Sequence, residues 1–74
     1  MIKKYNMENV DCANCAAKME EGIKKLEGVN DARVNFLTQK LVLDTEREDM
    51  DVLFDEVMKV CKKVDGDVEI DFQR

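Results

Sequence analysis

The stretch that decides the fold is Asp11-Cys12-Ala13-Asn14-Cys15-Ala16-Ala17-Lys18-Met19-Glu20-Glu21-Gly22-Ile23-Lys24-Lys25-Leu26-Glu27-Gly28. Within it Ala16, Met19, Ile23 and Leu26 recur at steps of three, four and three, which puts them on one face of an amphipathic helix. Lys18, Glu21 and Lys25 fall on the opposite face. Glu20–Lys24 and Glu21–Lys25 add four-apart ion pairs worth roughly 0.3 kcal/mol each. Gly28 is the expected left-handed stop. Gly22 weakens the helix by ~1 kcal/mol against alanine unless another element packs closely over it.

Outside this helix the apolar period changes from helical to alternating. Tyr5 and Met7 alternate within Lys3–Glu8, then Ala32, Val34 and Phe36, then Leu41 and Leu43, and finally Val68, Ile70 and Phe72. The polar break Thr38-Gln39 joins the middle two runs as a hairpin. After the acidic stretch Asp44–Asp51, Met50, Leu53, Val57, Val60 and Val64 return to helical steps, with Asp49 as the expected N-cap. The order is strand, helix, strand, strand, helix, strand. Its simplest closure is an α+β, ferredoxin-like βαββαβ sandwich: a four-stranded antiparallel sheet with two helices on one face. The other face is left to Asn6, Glu8, Arg33, Asn35 and Glu69. Seventy-four residues without a linker-like stretch read as one domain, 1–74.

Composition narrows the chemistry. Apolar residues are 45% and charged residues 39% of the chain, the balance of a folded rather than a disordered segment. Seventeen acidic against twelve basic side chains give a formal charge of −5 with no basic block, which argues against nucleic acid or anionic lipid as the main partner. No apolar run exceeds three residues, as at Leu41–Leu43 and Val52–Phe54, so neither membrane insertion nor an export signal is expected. The expected compartment is therefore the cytoplasm, where thiols stay reduced. Histidine is absent, which removes Cys–His and Ser–His catalysis, and no catalytic residue is expected.

What remains is sulfur plus carboxylate, at Asp11-Cys12-Ala13-Asn14-Cys15. Two cysteines three apart, the second opening a helix, converge their sulfurs, and the N–H groups and dipole of the helix start favour the Cys15 thiolate. Thiolates select soft cations such as Zn²⁺ and Cu(I). Asp11 adds an oxygen donor, which Zn²⁺ accepts beside sulfur and Cu(I) does not need, so the expected ligands are Cys12, Cys15 and Asp11 and the expected ion is divalent. Three alternatives stand beside this reading. Asp11 is a helix cap or loop acceptor; the cysteines are a redox dithiol, although this chain lacks the proline that thioredoxin-like folds set opposite theirs; or they are two small residues at a turn. Cys61, in line with Phe54 and Met58 on the second helix, reads as a small hydrophobe at a core edge rather than a ligand. Met7, Met19 and Met50 fall on core faces. Asp65 and Asp67 read as a solvated turn that makes the local potential more negative. Two helices and four strands supply a core without metal, so the apo form is expected to stay folded.

Over essentially its whole length the chain resembles the heavy-metal-associated domain, the βαββαβ module of soft-metal chaperones and of the cytosolic N-terminal regions of heavy-metal P-type ATPases. The resemblance rests on Val10-Asp11-Cys12-Ala13-Asn14-Cys15, on Leu26-Glu27-Gly28-Val29, and on Val34-Asn35-Phe36 before its hairpin. It carries the family's metal-binding cysteines onto Cys12 and Cys15, and its first-loop methionine anchor onto Val10. Copper-handling members commonly read Gly-Met-Thr where this chain has Asn9-Val10-Asp11, and Gly-Tyr or a chaperone lysine where it has Val64-Asp65-Gly66-Asp67. The acid at Asp11 is similar to the zinc, cadmium and lead exporting branch. The resemblance thus implies Zn²⁺, Cd²⁺ or Pb²⁺ as cargo, with Cu⁺ bound in vitro. It implies as partner the cytosolic domains or membrane entry site of a heavy-metal P-type ATPase. A Cu(I) chaperone or copper-pump domain is the alternative.

Overall fold

The computed structural model describes residues 2–72, so Met1, Gln73 and Arg74 at the ends of the expected domain lie outside the described residues. Its elements are β1 (Ile2–Glu8), α1 (Ala13–Lys24), β2 (Val29–Asn35), β3 (Lys40–Thr45), α2 (Met50–Val64) and β4 (Glu69–Asp71). The strands form one antiparallel sheet in the order β2-β3-β1-β4, which is the ferredoxin-like arrangement expected from the sequence. In β1, Tyr5 pairs with Leu41 of β3, and Met7 pairs with Ile70 of β4. Val34 faces Leu41 across the β2–β3 pair, which carries a bulge between Val29 and Asp31. Alternation then turns Tyr5, Met7, Ala32, Val34, Leu41 and Leu43 toward the helices and leaves Asn6, Glu8, Arg33, Asn35 and Glu69 exposed. Among the described residues no helix is long and apolar enough to cross a membrane.

The helices close the core from one side. Ala16, Met19 and Ile23 of α1 are buried, and so are Leu53, Phe54, Val57 and Cys61 of α2. Full burial of side chains such as Met19, Ile23 and Leu53 stabilises the fold by about 1.5–3 kcal/mol each. The buried stripe of α2 is rotated from the expected one. Phe54 and Cys61 lie inside, whereas Met50, Val60 and Val64 are half-buried at its margin. The rotation has two causes. Phe54 stacks on Phe72 at 4.2 Å between centroids, with Tyr5 edge-on to both rings. Val60 turns instead toward α1, where a Cβ on Gly22 would stand 2.5 Å from its Cγ1. Gly22 thus lets the two helices approach.

Two expected helix ends differ in detail. α1 stops at Lys24, and Gly28, at φ 84, serves the turn into β2 rather than the helix terminus itself. Asp49 occupies the N-cap position of α2 but makes no side-chain cap. Its carboxylate is taken by the fork of Arg47, at 2.9 Å from Nε and 2.6 Å from an amino nitrogen. Arg47 also reaches Glu56 at 2.7 Å and the Glu27 carbonyl at 2.9 Å, with its stem lying over Gly28. The fork gives the carboxylate two parallel charge-assisted bonds and an opposite full charge, where a cap N–H would give one bond.

Candidate metal centre

Three loops meet at one end of the sheet: residues 9–12 between β1 and α1, residues 36–39 between β2 and β3, and residues 65–68 between α2 and β4. Asn9, in the left-handed region at φ 67, donates its Nδ2 to the Asp67 carbonyl at 3.0 Å. Val10 sinks its side chain into the core and is 1% exposed, so the residue under the loop is an apolar anchor, as expected. Its backbone N–H is held by Gln39 Oε1 at 3.0 Å, and its carbonyl accepts from Gln39 Nε2. The chain is therefore fixed immediately before Asp11 and Cys12.

Cys12 takes the N-cap of α1, with extended φ −128 and ψ 128, and its carbonyl accepts the Ala16 N–H at 2.9 Å. The helix therefore begins two residues before Cys15, and the cap is Cys12, one residue after Asp11. Cys15 lies within the first turn, half-buried, while Cys12 and Asp11 are exposed. Both cysteines thus stand at the start of α1, and each thiol acts on the ionisation of the other. Backbone N–H from Cys15, the Cys15 thiol and the Asn14 N–H all lower the pKa of Cys12. Donating to Cys12, together with burial and the nearby charges of Cys12 and Asp65, raises that of Cys15. The thiolate favoured by the helix start is therefore that of Cys12 and not, as expected from sequence, that of Cys15. The helix-start N–H groups act on the cap residue, so Cys12 is the thiol whose pKa is lowered.

Asp11 is not gathered with the thiols. Among the described residues no three carboxylate or thiol groups form a ready-made metal cluster. Asp11 instead lines an acidic cleft of about 330 Å³ with Asn9, Asp65, Asp67 and Glu69. Asp65 faces both ways, lining that cleft and acting electrostatically on Cys15, so the solvated turn read from sequence stands beside the thiols. Cys61 is set apart. It is 0% exposed, and burial pushes its thiol up to about 12. It is a core residue rather than one at a core edge. The sequence reading missed Gln39 and Asn9. Their only signal was a polar residue where each loop needs a left-handed backbone, a conformation in which glycine is the default and asparagine is tolerated.

The chain belongs to the heavy-metal-associated domain family, whose pattern matches residues 4–65. It is accordingly a heavy-metal-binding module of the kind linked to heavy-metal P-type ATPases. Over 68 residues it is 31% identical to the cadmium, zinc and cobalt-transporting ATPase of Bacillus subtilis, covering 92% of this chain and 10% of that protein. Over 44 residues it is 41% identical to the zinc/cadmium/lead-transporting P-type ATPase of Escherichia coli, covering 60% of this chain and 6% of that one. The chain thus spans a tenth or less of the relatives it matches. The N-terminal domain of ZntA in its apo form superposes with a TM-score of 0.70 at 28% identity, covering 95% of this chain and 88% of that domain.

Proposed function

We propose that this domain captures Zn²⁺, Cd²⁺ or Pb²⁺ through the thiolates of Cys12 and Cys15, with Asp11 swinging in as an oxygen donor, and serves a heavy-metal-exporting P-type ATPase from the cytoplasm. The observation that carries the reading is the thiol pair at the start of α1, with Cys12 already biased toward the thiolate. A loaded two-sulfur, one-oxygen site leaves room in the coordination sphere of a four-ligand ion. A partner's thiolate can enter there before Cys12 or Cys15 leaves, which suits delivery. The surrounding carboxylates, Asp11, Asp65, Asp67 and Glu69, favour a doubly charged ion over a singly charged one. The relatives named as cadmium and zinc transporters support the same choice. On this reading the domain binds and passes its cargo, and ATP-driven transport belongs to the larger protein.

Asp11→Ala and Asp11→Asn test the oxygen donor. Both are expected to weaken Zn²⁺ binding by about tenfold or more, some 1.4 kcal/mol, while Cu(I) binding, satisfied by two sulfurs, stays unchanged. Equal Zn²⁺ affinity in all three proteins would remove Asp11 from the site and reopen the choice of metal, Cu(I) included.

A further inference from the structure

The loop that carries Cys12 leaves the sheet at Glu8 and has no strand partner of its own, yet its backbone is held by one side chain. Val10 N–H donates to Gln39 Oε1 at 3.0 Å, and Gln39 Nε2 donates to the Val10 carbonyl and, at 2.5 Å, to the Phe36 carbonyl. The backbone of Gln39 joins in: its carbonyl accepts the Met7 N–H at 2.8 Å, continuing the β1–β3 ladder beyond Asn6–Lys40. A primary amide presents a donor and an acceptor side by side, so it serves both peptide groups of Val10 as a neighbouring strand would. Glutamate lacks the donor, and asparagine is one methylene short. The turn's own backbone does not ask for glutamine. Gln39 sits at φ 55, where a glycine is unstrained. The residue is suited to Val10 rather than to its own conformation.

We infer that Gln39 is a positioning residue for the metal loop. Its amide clamps both backbone groups of Val10, two residues before Cys12, and so fixes where Cys12 meets Cys15. The inference rests on the reading of these two cysteines as the cargo-binding thiols. Without the clamp, the peptide groups beside the buried Val10 side chain exchange a fixed partner for water, and the segment from Asn9 to Cys12 becomes free to shift. The thiols then spend less time at the separation a metal requires. Ordering them becomes part of the cost of binding, and release becomes faster.

Gln39→Gly is the direct test, because it deletes the amide while relaxing the strained backbone of the turn. Gln39→Asn, which also tolerates that backbone but falls short of Val10, is the second variant should the first fold poorly. The reduced wild-type protein and both variants are loaded with Cd²⁺, followed by the cadmium–thiolate absorption band, and challenged with a chelator. Amide exchange is measured on the metal-free forms. Expected are unfolding midpoints close to wild type, faster exchange of the Val10 amide, and Cd²⁺ release accelerated by about tenfold, the lower end of what outer-shell changes do to metal sites. Wild-type release rates in the variants, with or without a loosened Val10 amide, would overturn the inference. A wild-type protein that gives no cadmium–thiolate band would instead overturn the functional reading beneath it, and the inference with it.

Discussion

Cys12 caps α1 and Cys15 lies in its first turn, and their pKa values move in opposite directions. The Cys15 backbone N–H, then the Cys15 thiol and the Asn14 N–H, hold Cys12 below the ordinary 9.0, while the Cys12 side chain and burial raise Cys15 above it. The attacking species in alkylation is the thiolate. Cys12 in the metal-free protein is therefore expected to react with iodoacetamide at neutral pH several-fold faster than Cys15, read by timed quenching and peptide mass mapping. Its half-buried neighbour should follow only as the pH is raised. Faster labelling of Cys15 would mean that the helix start favours the inner sulfur after all.

Gly22 faces Val60 where α1 crosses α2, and a methyl group there would sit 2.5 Å from Val60 Cγ1. In an exposed helix Gly→Ala gains up to ~1 kcal/mol, but overpacking a close contact costs about 1–3 kcal/mol, and a β-branched valine has little freedom to turn aside. Gly22→Ala is thus expected to lower stability by about 1–2 kcal/mol in urea unfolding, the larger of those two effects deciding the sign. Adding Val60→Ala should recover part of that loss. A more stable Gly22→Ala protein would show that the helices have room to separate.

Cys61 stays neutral in the core, with its pKa pushed from 9.0 to about 12 by burial. The sign of the pH dependence follows. Above pH 9.0 the unfolded chain releases this proton and the native chain keeps it, so stability falls as the pH rises from 9.0 toward 12. Tyr5, whose pKa burial also raises above 10.0, adds to the same trend. Replacing the thiol in Cys61→Ala should flatten the alkaline decline measured by urea unfolding at a series of pH values. An unchanged slope would place the titrating group elsewhere.

Most of the fold was legible because each element buries one face. The alternation of Tyr5 with Met7 and of Leu41 with Leu43, and the three-four spacing of Ala16, Met19 and Ile23, are direct records of which side meets the core. The rotation of α2 was not legible. Its sequence offers two neighbouring apolar stripes, and the choice between them depends on the partners, Phe72 for Phe54 and Gly22 for Val60, which lie far along the chain. The same limit hid Arg47, whose partners Glu27, Asp49 and Glu56 come from three separate segments. It also hid the burial of Thr45, whose hydroxyl donates to the Gly28 carbonyl at 2.6 Å.

At the site, the spacing of Cys12 and Cys15 was enough to place both at the start of α1, one at its cap and one in its first turn. The spacing does not say which donor reaches which sulfur. That depends on where the helix begins, and a start at Ala13 moves the cap from Asp11 to Cys12. Gln39 lies 29 residues from the Val10 it clamps, beyond any local pattern.

The central claim, that the two sulfurs at the start of α1 hold the cargo, is tested most directly by titrating the reduced protein with Cd²⁺ and following the cadmium–thiolate band. Wild type and Cys61→Ala are expected to saturate at one equivalent with the full band. Cys12→Ser and Cys15→Ser should each lose about half of its intensity and bind at least tenfold more weakly, and the double variant should show no band. A band that survives in the double variant, or that disappears with Cys61, would contradict the account.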